Sequence, residues 1–293
     1  MEKIILYYKF VPVTDPEMVR LWQLELCQRL GLKGRIIISK HGINGTLGGN
    51  LDNLRAYKSA MNKTVVFKAI PYKWSDGKAD DFPRLSVKVR DEIVTFNAAD
   101  EIVVTEKGIA NGGKHLKPKQ VHELLKERGD EVVFFDGRDK HEAAIGRFKN
   151  AVIPNIETSH DFIKEIEKPE YEALKDKPIV TYCTGGIRCE VLSVLMKNRG
   201  FKEVYQIDGG IVKYGETYQD EGEWEGKLYV FDKRQTVAFS DEATDIGVCV
   251  HCQTNTSNYL NCSNKQCNKL VLICTDCAET DRFYCQNCLA IPA

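Results

Sequence analysis

At 293 residues, 43% hydrophobic and 28% charged, the chain has the length for two or three domains and a composition that excludes fibrous or disordered proteins. No apolar run reaches the ~18–20 residues that cross a bilayer, and the opening decapeptide alternates like a strand and does not read as a signal peptide, so a soluble cytoplasmic protein with no membrane partner is expected. A net charge of −1 hides an asymmetry: residues 1–95 carry 16 Lys and Arg against 10 Asp and Glu, and the remainder carries 25 against 32, so a polyanion would meet the N-terminal part first.

In chain order, residues 3–10 predict a strand. Residues 15–31 predict a helix with Thr14 or Asp15 as cap and Leu21, Leu24, Cys27 and Leu30 on one face. Gly34–Ser39 reads as a strand, His41–Gly45 as a turn and Thr46-Leu47 as the start of the next strand. A helix over Leu51–Met61, a strand over Val65–Ile70 and a short strand over Ser86–Val89 follow. The order β-α-β-β-α-β is that of a ferredoxin-like α+β domain, here 1–95, with 71–84 as a docking or substrate loop. Residues 96–128 read as a basic, glycine-containing linker (97–118) and a helix (119–128).

Residues 129–223 then alternate strands at 132–135, 179–182 and 203–206 with helices at 159–167 and 189–199, which predicts an α/β domain with a parallel sheet. Ligands of such sheets lie at the carboxyl ends of the strands. There the strand Ile179–Tyr182 runs into Cys183-Thr184-Gly185-Gly186-Ile187-Arg188, with a helix starting near Cys189. Gly185 and Gly186 let the loop curl so that its amides face the sulfur, and those amides, the helix dipole and Arg188 all favour thiolate. An accessible, low-pKa nucleophile is therefore expected at Cys183, against the usual fate of a free cysteine as a small buried hydrophobe, which suits Cys27. Cys189 reads as structural, with resolution of an oxidised Cys183 as the lesser reading. A phosphatase loop needs five residues between cysteine and arginine. Here there are four, a cradle better matched to a lone sulfur. Asp136, Arg138 and Glu142 fall on the same rim, either orienting substrate or Arg188 or forming an ion-pair network that closes the domain, the second being favoured.

The last part, 224–293, holds Cys249-x-x-Cys252, Cys262-x4-Cys267, Cys274-x-x-Cys277 and Cys285-x-x-Cys288. Four thiolate pairs predict two closed, structural zinc sites, with an interleaved pairing preferred to a sequential one, and clustered cysteines suit a reducing compartment better than a disulfide scaffold. The segment is acidic apart from its thiolates, with Lys265, Lys269 and Arg282 against six carboxylates between Asp241 and Asp281, so it reads as a clamp and a poor phosphate binder.

The run Cys183–Glu190 together with Asp136-Gly137-Arg138, Glu142, Ile145–Ala151 and Asp208-Gly209-Gly210 resembles a rhodanese domain. With Gly34–Ile38, Gly42-Ile43-Asn44-Gly45-Thr46, Pro83–Lys88 and the cysteine tail, nearly the whole chain resembles the bacterial tRNA uridine hydroxylases of the TrhO family. The resemblance implies an oxidoreductase forming 5-hydroxyuridine at the wobble uridine, position 34, of tRNA, with molecular oxygen as co-substrate and Cys183 as the essential cysteine. A thiolate adding to uracil C6 makes C5 nucleophilic, with the loop amides and Arg188 stabilising the enolate; a persulfide on the same sulfur, as in a sulfurtransferase, is the alternative. Given tRNA as partner, the charge distribution points to the basic N-terminal face with Lys114, Lys117 and Lys119 as the track for its backbone.

Overall fold

The computed structural model describes residues 1–279 and 283–289. Strand β1 (Glu2–Phe10) buries Ile5 and Tyr7 on one face and Ile4 and Phe10 on the other, the pattern of a strand covered on both sides. Helix α1 (Pro16–Arg29) begins where the Asp15 side chain accepts from the Met18 amide, and α2 (Leu51–Lys63) is capped likewise by Asn50. Leu26 and Cys27 of α1 and Leu54, Tyr57 and Met61 of α2 pack on Ile5 and Tyr7. With β2 (Lys33–Ser39), β3 (Gly42–Asn50), β4 (Tyr72–Asp76) and β5 (Leu85–Val89) the sheet order is β4-β1-β3-β2-β5, antiparallel except at the β2–β5 edge. This is the ferredoxin-like order with one strand added.

Three expectations fail locally. The turn placed at 41–45 is only Lys40 and His41, because pairing resumes at Ser39–Gly42. Its glycines belong to a strand that β1 approaches closely: a Cβ on Gly42, at φ +140, would lie 2.0 Å from the Lys9 carbonyl oxygen. The strand placed at 65–70 is a 3-10 turn over Val65–Phe67, since Val65 is exposed and Phe67 alone of the three is buried, and the strand, β4, lies instead within the segment expected as a loop at 71–84, because Lys3–Tyr7 of β1 pairs with it. The segment read as a linker is ordered. Glu92 accepts hydrogen bonds from the amides of Phe96, Asn97 and Ala98 at 2.8–2.9 Å, which fixes a bend that sends Phe96, Ala98 and Ile102 into the second core. A small hairpin, β6 (Val104–Thr105) and β7 (Gly108–Ile109), leads to β8 (Lys114–Leu116), which is an edge strand of the second sheet.

After α3 (Pro118–Arg128), that sheet takes β9 (Val133–Asp136), β11 (Pro178–Tyr182) and β12 (Glu203–Ile207), all parallel in the order β8-β12-β11-β9. Helices α4 (Lys140–Ile145), α5 (Phe162–Ile166) and α6 (Ile187–Asn198) lie between them in the chain, and α7 (Gly210–Tyr218) follows β12. Strand β10 (Gly146–Phe148) pairs with β13 (Trp224–Gly226), tying the last part to the middle one. The tail adds β14 (Leu228–Tyr229) with β15 (Thr236–Val237), β16 (Tyr259–Asn261) with β17 (Leu270–Leu272), and the short helices α8 (Thr275–Ala278) and α9 (Gln286–Leu289). No helix among the described residues is long and apolar enough to cross a membrane.

Candidate active site and thiolate clusters

The strand β11 ends at Tyr182 and α6 begins at Ile187, so Cys183–Gly186 is a four-residue loop at the carboxyl edge of the parallel sheet. Gly186 sits at φ +100, and its amide donates to Cys183 Sγ at 3.2 Å. The neighbouring loop closes on it: a Cβ on Gly210 would come within 2.3 Å of the Cys183 carbonyl oxygen, which instead accepts from the Ile211 amide at 3.0 Å.

Burial by itself would raise the Cys183 thiol. Contact with the Cys189 thiol, the Arg188 charge and the amides of Cys189 and Arg188 outweigh it and bring the sulfur down to about 5. Cys189 itself is pushed well up by burial and by the sulfur beside it, so it is the proton-bearing partner.

Around this sulfur the charged residues divide into two groups. Arg188 donates from Nη1 and Nη2 to the two oxygens of Glu142, the second at 2.8 Å, and from Nη2 to Thr184 Oγ1 at 3.2 Å. Asp136 and Arg138 form a separate, fully buried pair with Nε–Oδ1 at 2.9 Å and Nη2–Oδ2 at 2.6 Å, and Arg138 also donates to the Gly146 carbonyl at 2.7 Å and stacks on Trp224. Glu142 therefore orients Arg188, while Asp136 and Arg138 brace the domain where β10 meets β13.

Accessibility departs from expectation. Cys183 is 0% exposed because the N-terminal sheet lies across the loop. A Cβ on Gly185 would fall 2.7 Å from Leu6 Cδ2, and one on Gly186 would fall 2.9 Å from the Tyr8 hydroxyl. Tyr8 donates to Glu190 Oε1 at 3.1 Å, and Glu190 also accepts from Gln206 and faces His115 at 3.4 Å. Two surface clefts, one on the tail lined by Arg234, Asp245 and Asn258 and one between the tail and α4 lined by His141, Tyr259 and Lys269, reach none of these residues.

Lys114, Lys117 and Lys119 are exposed. Leu116 pairs with Ile207 at the carboxyl end of the sheet, so Lys117 and Lys119 stand on the rim that carries Cys183.

In the tail, Cys249, Cys252, Cys274 and Cys277 form one group and Cys262, Cys267, Cys285 and Cys288 another, with the sulfurs of each group within 4.8 Å of one another. The pairing is interleaved: first pair with third, second with fourth. The Cys285 amide points at Cys262 Sγ (3.4 Å) and Asn264 Nδ2 at Cys288 Sγ (3.3 Å), as donors to thiolates would. Each group can hold a metal ion and offers four sulfurs, which leaves no open position in a tetrahedral site.

Three family models match in the order of these parts: a UPF0176 acylphosphatase like domain over residues 2–93, a rhodanese-like domain over 117–217 and a rhodanase C-terminal region over 225–289. A protein of Corynebacterium urealyticum described as tRNA uridine(34) hydroxylase is 58% identical over 98% of this chain and 96% of its own length. One from Arthrobacter sp. (strain FB24) with the same description is 60% identical over 96% and 95%. The chain belongs to the tRNA uridine(34) hydroxylase family. Among solved structures, the rhodanese-like domain of an Anabaena protein overlaps 38% of this chain and 78% of its own at a TM-score of 0.32 and 18% identity, too little to carry an argument.

Sequence reasoning misses the residues outside the rhodanese-like domain that close over Cys183, namely Leu6 and Tyr8. One signal was available. The strand at 3–10 is apolar or aromatic at even as well as odd positions, so both of its faces must be covered, and the two helices of a ferredoxin-like unit cover only one.

Proposed function

We propose that the chain hydroxylates C5 of the wobble uridine of tRNA, with Cys183 as nucleophile. The observation that carries this reading is the 58–60% identity, over nearly the whole chain, with relatives described as tRNA uridine(34) hydroxylase. The thiolate held by amides and Arg188 supports the choice of atom. In the first step the S–C6 bond forms and the C5–C6 π pair moves through the ring to O4, leaving C5 electron-rich. Dioxygen is the proposed oxidant. One oxygen atom ends on C5 and the other leaves as water, taking two electrons and two protons from an external donor. Loss of the C5 proton and of the thiolate from C6 then restores the ring.

An anticodon base is single-stranded and can be presented flipped out, as enzymes acting on bases require. To reach the sulfur it must displace Leu6 and Tyr8, so entry and opening of the domain interface are one event. The exposed ring of Phe231, 6.0 Å from the Arg188 guanidinium, offers a stacking surface at that mouth. The eight tail thiolates are assigned to two structural zinc ions, which supply stability that a segment of this size lacks. A tRNA substrate implies a cytoplasmic location.

The test is nucleoside analysis of tRNA from a deletion strain carrying wild type or Cys183→Ala. 5-Hydroxyuridine should return only with wild type. Its return with both would refute the role of Cys183, and a sulfur-transfer defect with unchanged 5-hydroxyuridine would favour the sulfurtransferase reading.

A further inference from the structure

The sheet face that covers Cys183 carries a cation with no carboxylate of its own. Lys73 in β4 pairs with Leu6 in β1, so the two side chains leave the same face of the N-terminal sheet, the one turned to the Cys183 loop. A Cβ on Gly209 would lie 3.5 Å from Lys73 Cε, which places the lysine against the loop that closes on Cys183. Its ammonium stands 5.1 Å from the centre of the Tyr8 ring, and it makes no ion pair or hydrogen bond among the described residues.

The other cations at this mouth are committed. Arg188 is held by both oxygens of Glu142, and Lys213 pairs with Glu216 at 3.0 Å. The Arg188 charge already acts on the thiolate, and its Nη donors are held by Glu142 and Thr184, so it is fixed in place and not free to follow new negative charge. Lys73 does have charge to give, and Cys183, Asp208, Glu190 and Glu216 are the groups within its electrostatic reach. Burial lowers its ammonium, the mark of a cation out of water without a close counter-ion.

We propose that Lys73 is a catalytic residue contributed by the N-terminal domain: its ammonium faces the Cys183 thiolate in the resting enzyme and the O4 oxygen of uracil once the thiolate has added to C6. The substrate half of this statement rests on the hydroxylase reading; the thiolate half does not. The step moves one electron pair from the C5–C6 bond to O4 as the S–C6 bond forms, and the ammonium meets that charge without losing its proton. On this view the N-terminal sheet is more than a tRNA platform. The active site is complete only when the two domains close again over the base that has entered.

The experiment compares wild type, Lys73→Met and Lys73→Arg in the full-length protein with three readouts. The first is titration of the Cys183 thiolate, taken as the ultraviolet thiolate absorbance that each protein loses on further Cys183→Ser substitution, so that the tail thiolates cancel. The groups that stay in place are Arg188, Cys189 and Tyr8 around the sulfur, Glu142 on Arg188, and Glu190, Asp208 and Glu216 around Lys73. Lys73→Met should raise the apparent pKa of Cys183, as loss of a neighbouring opposite charge does, and Lys73→Arg should restore it. The second readout, tRNA affinity, should change less than twofold. The third, 5-hydroxyuridine formed per bound tRNA, should fall about a hundredfold in Lys73→Met and recover in part in Lys73→Arg. If wild type makes no 5-hydroxyuridine but the thiolate shift is seen, the hydroxylase reading fails and the Lys73–Cys183 pairing stands. An unshifted Cys183 in Lys73→Met overturns the proposal, whether turnover is kept or tRNA binding is lost; in the second case Lys73 is a phosphate anchor.

Discussion

Arg188 and Glu142 meet end-on beside the Cys183 sulfur, two guanidinium nitrogens against two carboxylate oxygens, with Glu142 1% and Arg188 11% exposed at the side chain. The carboxylate comes from a short helix after β9 and the guanidinium from the helix that opens behind Cys183, so one ion pair locks the loop to the adjacent strand's helix. Arg188 thereby lends its field to the thiolate while its own position is fixed from behind.

Glu142→Gln should cost stability and activity together. Removing one partner of a buried pair strands the other, at about 3–5 kcal/mol, and the low end applies because glutamine keeps part of the hydrogen bonding and the Cys183 thiolate can take up part of the charge. The loosened loop should lower 5-hydroxyuridine formation about a hundredfold. Thermal unfolding and nucleoside analysis of the same preparation check both. A variant as stable and active as wild type would show that the pair does nothing for the loop.

Cys183→Ser should abolish turnover and leave a pH signature in stability. The thiol is lowered to about 5 in the fold, whereas an unfolded cysteine titrates near ~8.5. A depressed folded pKa gives stability that is fully present above the unfolded value and is lost as pH falls through the folded one. Serine has no such term. The melting-temperature difference, wild type minus Cys183→Ser, should therefore widen as pH rises from 5 to 9. A gap that stays constant over that range would mean the sulfur is an ordinary buried thiol.

Several of these residues could be read in the sequence because their signals are local. Cys183, Gly186 and Arg188 lie in one strand–loop–helix junction, and the eight tail cysteines announce themselves by spacing. What could not be read is long-range. Val65–Phe67 looks like a strand by composition, and only the burial of Phe67 with Val65 left in solvent makes it a turn. Residues 96–102 look like a linker until the Glu92 carboxylate is seen gathering three amides. Lys73 and Tyr8 are 110 or more positions from Cys183, and nothing in strand alternation says which domain will cover a sheet's second face.

The interleaved thiolate groups make a prediction about metal. Two ions per chain are expected by elemental analysis, zinc in both. Cys249→Ser and Cys262→Ser should each lose about one ion, since they fall in different groups. Sequential pairing would place Cys249 and Cys262 in the same site and predicts that the double variant loses no more than either single one. Strong chelation should unfold the tail and leave the secondary structure of the first two sheets, because short strands such as β16 and β17 have little core beyond the cysteines themselves.

The docking of tRNA can be separated from its chemistry by salt. Phosphate contacts release counterions, so each lysine that follows the backbone adds to the slope of log affinity against log salt by about 0.7–0.9. Lys117 and Lys119 are exposed on the rim that carries Cys183, and Lys114 is exposed on the edge strand beside it, the arrangement a backbone-tracking strip requires. Replacing all three by Ala should weaken tRNA binding at physiological salt and flatten the slope by about two, with the melting temperature unchanged. Lys265 and Lys269 on the tail are the comparison, Arg282 lying outside the described residues. They are also exposed, but Lys269 faces Glu157 at 3.7 Å and the segment that carries them is acidic. Their double replacement should change affinity less than twofold and leave the slope as it is. If the tail variant loses binding while the Lys114, Lys117 and Lys119 variant keeps it, the thiolate module is the RNA reader and the rim above Cys183 is not.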